Sequence, residues 1–124
     1  MEIIIQPTPE AASRVAAAIV AEVMRTKPHA VLGLATGRTP LQLYRDLIAM
    51  TLDWRQVRTF NLDEYVGLPR EHPESFHSVM WKNLFQHVNI DPANVHVPDG
   101  LAADIPAHCA DYETAIRAAG GIDL

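Results

Sequence analysis

Apolar residues fall along this chain in two alternating patterns: short dense runs, and longer stretches where they recur every three or four positions. Ile3-Ile4-Ile5 is the first dense run and predicts a strand over Glu2 to Gln6. Thr8 then offers a capping hydroxyl and Pro9 suits the first position of a helix. That helix is expected to reach about Thr26, with Val15, Ile19 and Val23 spaced along one side, and Lys27-Pro28-His29 ends it. Ala30 to Ala35 is a compact apolar run of the kind buried on both faces of a parallel sheet.

The alternation continues. Pro40 opens a second helix carrying Leu43, Leu47 and Met50, and Val57 to Leu62 reads as a strand. Pro69 to Pro73 is loop, and Ser75 can cap a helix from Phe76 to about His87, with Val79, Leu84 and Val88 toward the sheet. Val95-His96-Val97 is a brief strand, Pro98-Asp99-Gly100 a turn, and Ile105 to Ala119 a last helix stopped by Gly120-Gly121. Ile122-Asp123-Leu124 looks like the start of another strand. Strand and helix in turn, with no repeat or linker, predict a single α/β domain over residues 1–124, layered on a mainly parallel sheet.

Composition narrows the class. With 48% hydrophobic and 20% charged residues, the chain is an ordinary globular sequence rather than a disordered one. A formal net charge of -5 and no dense Lys/Arg cluster speak against nucleic-acid or anionic-membrane binding, so any anionic ligand must be held by local groups. One cysteine, Cys109, allows no internal disulfide. The N-terminus has no basic leader, Glu10, Arg14 and Glu22 interrupt its apolar stretch, and no run is long enough for a bilayer; the expectation is a cytoplasmic protein.

Two stretches carry candidate chemistry. The run Phe60-Asn61-Leu62 ends in Asp63 and Glu64, followed by a loop rich in Gly, Pro and His. Open α/β sheets place catalytic groups at the carboxyl ends of their strands. Adjacent side chains in extended backbone point to opposite faces, so only one of the two carboxylates can serve a given pocket, and the other must be solvated or structurally paired. The same dipeptide can also simply end a strand. The second stretch is Thr36-Gly37-Arg38-Thr39, between a strand and a helix start. Its backbone N–H groups and two hydroxyls suit a single phosphate, with Arg38 as an optional cation, although it also reads as an ordinary turn. It lacks the spacing of a nucleotide P-loop or a dinucleotide fingerprint. His72 and His77 lie near Asp63 in sequence but match no zinc spacing, and no metal is assigned.

Leu32 to Pro40, Phe60 to Pro69, Glu71 to Asn83 and Gly120 to Leu124 together resemble the glucosamine-6-phosphate deaminase family, in order and at family spacing. The resemblance implies the family's three-layer, Rossmann-like sheet flanked by helices, incomplete here on the C-terminal side. It implies conversion of glucosamine 6-phosphate and water to fructose 6-phosphate and ammonia, without metal or organic cofactor, in a chain that self-associates into homo-oligomers. Asp63 corresponds to the carboxylate that moves the C2 proton to C1, and Thr36, Gly37, Arg38 and Thr39 to the turn on the sugar phosphate. Arg38 stands where many members carry Gly or Ser, and Phe76 where Tyr is common. The family's ring-opening histidine and basic phosphate ligands lie beyond the matching half. The chain is therefore expected to carry the C2 base without the ring-opening group, leaving a non-catalytic sugar-phosphate-binding fragment, or a lactonase-like hydrolase on the same fold, as alternatives.

Overall fold

In the computed structural model, which describes residues 2–124, three parallel strands form the centre: β1 (Val31–Leu34), β2 (Arg58–Asn61) and β3 (Val95–His96), in the order β1-β2-β3. The helices are α1 (Pro9–Thr26), α2 (Pro40–Ala49), α3 (Phe76–Asn83) and α4 (Ile105–Ala118), with 3₁₀ turns at Phe85–His87 and Pro92–Asn94. Each helix begins where a local signal tells it to. Thr8 Oγ1 accepts from Ala11 N–H at 3.2 Å and Ser75 Oγ from Ser78 N–H at 3.1 Å. Asp104 Oδ1 accepts from Ala107 N–H at 2.9 Å. At the far end of α4, Gly120 N–H bonds Arg117 O at 3.0 Å and Gly121 N–H bonds Ile116 O at 2.9 Å, the paired contacts of a Schellman stop.

The faces of β1 and β2 separate the layers. Leu32 and Leu34 join Ala17 and Met24 of α1, Tyr44 and Leu47 of α2, and Met80 of α3, with Leu84 after it, in one buried cluster around Trp54. Burying each such large side chain contributes about 1.5–3 kcal/mol. Phe60, on the opposite pleat, stacks on His96 with ring centroids 4.3 Å apart and meets the edge of Tyr112 of α4 at 5.6 Å. So α1, α2 and α3 cover one face and α4 the other, giving the three-layer parallel arrangement expected.

Two expectations are corrected. Ile3 to Ile5 form no strand: residues 2–6 belong to no element, and Ile3 and Ile5 are 74% and 88% exposed. β-branching favours extended backbone, but a strand also needs a neighbour, and the free edge of β1 is taken by other residues. On α1, Ala17, Ala21 and Met24 are buried, with Val20 and Val23 partly buried against the core. The third helix ends at Asn83, and its buried residues are Met80, then Leu84 and Phe85.

The edge of β1 is occupied by Ile122 to Leu124. Asp123 N–H bonds Val31 O at 2.8 Å and Gly33 N–H bonds Leu124 O at 2.9 Å. The Asp123 side chain adds two more ties, Oδ2 to Val31 N–H at 2.8 Å and Oδ1 to Lys27 Nζ at 2.7 Å. The chain thus steps from β1 to β2 to β3 on one side, then returns through α4 on the other face to the far side of β1. That reversal is the switch point where open α/β sheets form their ligand crevice.

The hydrogen bond from Lys27, reinforced by that from Val31, holds the Asp123 carboxyl below its ordinary pKa of 3.8. Its stabilising contribution is therefore complete above 3.8 and is lost as the pH falls through the lowered folded-state value. Asp123→Asn should melt below the parent at pH 7, and the two melting temperatures should converge in acid. Equal melting temperatures at pH 7 would contradict this role for Asp123.

Candidate functional site

The candidate residues leave the sheet from adjacent strand ends. Leu34 and Asn61 are register partners at the carboxyl ends of β1 and β2, and Leu62 N–H continues the ladder to Leu34 O at 3.1 Å. The turn Thr36 to Thr39 follows β1 and Asp63 follows β2, so both rise from the same edge of the sheet.

The β1 turn is braced from below. Tyr44, 2% exposed, donates its hydroxyl hydrogen to the carbonyl oxygen of Ala35, immediately before Thr36. Burial pushes the Tyr44 phenol up to about pKa 12, so it stays a donor across the physiological range. Gly37 has φ +114°, a left-handed conformation that side chains rarely adopt, and an added Cβ would meet nothing within 4 Å. The glycine is needed for the turn's shape, not for space. Gly37, Arg38 and Thr39 are exposed and Thr36 is half-buried. Thr39 precedes α2 without making a side-chain capping bond, and Pro40 has no N–H to satisfy.

The start of α3 is closed by contrast. Glu64 Oε1 accepts from Phe76 N–H at 2.8 Å and Oε2 from His77 N–H at 2.9 Å, while Ser75 takes Ser78 N–H. Of the helix starts that follow β1 and β2, that of α2 has no side-chain cap, whereas that of α3 has spent its donors on Glu64 and Ser75.

The two adjacent carboxylates are thereby sorted. Glu64 is half-buried and also accepts from Tyr65 N–H at 2.8 Å; it is the structurally paired member. Asp63 is exposed and, among the described residues, has no hydrogen-bond partner. Sequence reasoning identified the alternative without resolving it, and missed Glu64 as a helix cap because its acceptor role spans twelve residues. Tyr112 was missed too: its hydroxyl lies 2.9 Å from Asn61 O and 3.0 Å from His96 O, fastening α4 across the ends of β2 and β3. No local pattern in the sequence announces that contact.

The loop after Asp63 rests on the turn before α4. Gly67 N–H bonds Gly100 O at 2.8 Å, and Asp99 N–H bonds His108 Nε2 at 2.9 Å. Beside the loop, Tyr65, Val66, Leu68, Pro73, Glu74, Phe76 and Val79 line an open cavity of about 520 Å³. His77 sits apart, stacked on Trp81, its pKa lowered first by burial and then by Arg70. His72 Nδ1 accepts from Glu74 N–H at 3.2 Å. Among the described residues, no three His, Cys, Asp or Glu side chains are grouped to hold a metal, and no helix is long and apolar enough to cross a membrane.

Comparison with known proteins points to one family. The family model for glucosamine-6-phosphate isomerases/6-phosphogluconolactonase matches residues 7–124. A glucosamine-6-phosphate deaminase of Halothermothrix orenii is 49% identical over all of this chain and 53% of its own length. The deaminase of Pseudarthrobacter chlorophenolicus is 50% identical, with 49% of its length covered. A solved monomeric glucosamine-6-phosphate deaminase superposes with TM-score 0.95 at 40% identity, over 99% of this chain and 53% of that one. The 6-phosphogluconolactonase of Thermotoga maritima shares the fold at TM-score 0.75 and 24% identity, over 95% of this chain and 53% of that one. The chain spans about half the length of these relatives.

A Cβ added at Gly100 would lie 2.1 Å from Tyr65 O and 3.1 Å from Leu68 O, both backbone atoms. Gly100→Ala must displace the Asp63 loop, and overpacking of this kind costs about 1–3 kcal/mol. Urea denaturation should show that loss; unchanged stability would mean the loop and turn separate freely.

Proposed function

The chain belongs to the glucosamine-6-phosphate isomerase and 6-phosphogluconolactonase family, and on that premise we propose that it forms the base-bearing half of an isomerising deaminase of glucosamine 6-phosphate. The observation that carries this reading is the sorting of the carboxylate pair. Asp63 is exposed and, among the described residues, unpaired at the carboxyl end of β2, while Glu64 is fully engaged beside it.

In this reading the sugar phosphate lies across the ends of β1 and β2. Its phosphate takes the turn Thr36, Gly37, Arg38 and Thr39, where hydroxyls, backbone N–H groups and the start of α2 face an anion. Arg38 adds a cation that compensates for the chain's net charge of -5. Once the sugar ring is open, the Asp63 carboxylate removes the proton from C2. The C–H electron pair becomes the C1–C2 double bond of an enolamine while the carbonyl oxygen gains a proton. Asp63 returns its proton to C1, leaving an iminium at C2; water adds there and ammonia departs, giving fructose 6-phosphate. The C–N bond is broken hydrolytically, and the scheme calls for no metal or organic cofactor.

The deaminase reading is favoured over lactone hydrolysis by the relatives named deaminase at 49–50% identity, against a lactonase likeness of 24% that speaks to fold alone. Cytoplasmic location and a place in amino-sugar breakdown follow from the same reading. Self-association is supported by apolar side chains exposed around the site, Leu62 at 71%, Val66 at 69% and Leu101 at 57%. The similar solved deaminase is nonetheless monomeric.

The base can be tested without ring opening, because fructose 6-phosphate already has an open-chain ketone form. In D₂O the chain should catalyse deuterium incorporation at C1, and Asp63→Asn should slow it by about 10²–10⁴-fold. Net ammonia release from glucosamine 6-phosphate by these 124 residues should be negligible. Exchange at equal rates in both proteins would refute Asp63 as the base, and release of 6-phosphogluconate from its lactone would favour the hydrolase.

A further inference from the structure

We propose that Glu64 is the positioning residue of this site, fixing the backbone from which Asp63 projects; the proposal rests on the reading of Asp63 as the base. Asp63 lies between two anchored neighbours. On its N-terminal side, Leu62 N–H is held by Leu34 O at 3.1 Å and Asn61 O lies 2.9 Å from the Tyr112 hydroxyl. On its C-terminal side, the Glu64 carboxylate spans three backbone donors: Tyr65 and Phe76 N–H at 2.8 Å on Oε1, and His77 N–H at 2.9 Å on Oε2.

The three contacts do different things. The bonds to Phe76 and His77 tie the residue to the first turn of α3, a rigid element packed through Met80 into the core. The bond to Tyr65 fixes the orientation of the next peptide group in the loop. Glu64 therefore connects the loop to a helix at a point directly adjoining Asp63, and leaves the Asp63 carboxylate without competing partners among the described residues.

The chemistry of the acceptor is demanding. Both oxygens are in use, and all their partners are N–H donors. Glutamine would turn one oxygen into an amide NH₂ facing a donor, and aspartate is one methylene short of the span. Ser75 caps α3 only through Ser78 N–H, so Glu64 takes the two donors before it and adds a bond to Tyr65 N–H that a helix cap alone would not need. Ser75→Ala, which removes this cap and the Ser75 hydroxyl's bond to Arg70 O at 2.7 Å but leaves the Glu64 contacts, is the control.

The test compares Glu64→Gln, Glu64→Asp and Ser75→Ala in the ¹⁵N,¹³C-labelled chain. In both Glu64 variants, heteronuclear NOE values at Asp63 to Val66 should fall, and the Asp63 side-chain carboxyl ¹³C resonance should move from its parent position. Amide exchange at Phe76 and His77 should quicken by about tenfold or more. Ser75→Ala should lower stability while leaving the Asp63 resonance in place. Glu64 is only a cap if the Phe76 and His77 amides exchange faster but Asp63 is unmoved, or if Ser75→Ala shifts Asp63 as much as the Glu64 variants do. Should Glu64→Gln fail to fold, Glu64→Asp carries the same comparison. No substrate enters this experiment, so its failure and a failure of the exchange test on fructose 6-phosphate are separate results.

Discussion

The parallel pairing of β1 with β2 is the constraint on which the rest of the molecule depends. Four register pairs, from Val31 with Arg58 to Leu34 with Asn61, bring the two strands to their carboxyl ends in step. A one-residue slip would exchange the faces, sending Leu32 and Leu34 toward α4 and away from Tyr44, Leu47 and Met80. It would also separate the turn after β1 from the loop after β2. Hydrophobic burial on one face and the alignment of the turn Thr36 to Thr39 with the Asp63 loop are thus consequences of the same register.

Around that pair, the fold ties each functional loop to something rigid. Tyr44 reaches from α2 to the last carbonyl before the turn Thr36 to Thr39, and Tyr112 reaches from α4 to the carbonyl of Asn61. Glu64 reaches from the loop to the start of α3. These contacts span 9 to 51 residues, whereas the caps at Thr8 and Ser75 span three. That difference decides what the sequence could disclose. A cap acts over three residues and is written in the residues beside it, so the helix starts at Pro9, Pro40, Phe76 and Ile105 were legible from composition and spacing. The strand expected at Ile3 to Ile5 was not decidable locally, because pairing depends on which segment reaches the edge of β1, and that is Ile122 to Leu124. Likewise Asp63 and Glu64 are alike in sequence, and only the position of α3 distinguishes the engaged carboxylate from the free one.

The family resemblance and the structure meet at this point. The chain spans about half of its relatives, and its sheet changes direction between β1 and the Asp123 segment. The relatives named deaminase and the lactonase share that sheet, so fold alone does not choose between proton transfer and lactone hydrolysis. The proposed chemistry therefore rests on the Asp63 carboxylate, which has no hydrogen-bond partner among the described residues, and on the α2 start, which has no side-chain cap; it requires both to serve one ligand.

That joint service is the central claim, and a titration of the ¹⁵N-labelled chain with glucosamine 6-phosphate tests it most directly. Binding should perturb the amides of Gly37, Arg38 and Thr39 together with those of Leu62, Asp63 and Glu64, with a single dissociation constant for both groups. Perturbations confined to one group, or to residues away from the carboxyl ends of β1 and β2, would contradict it.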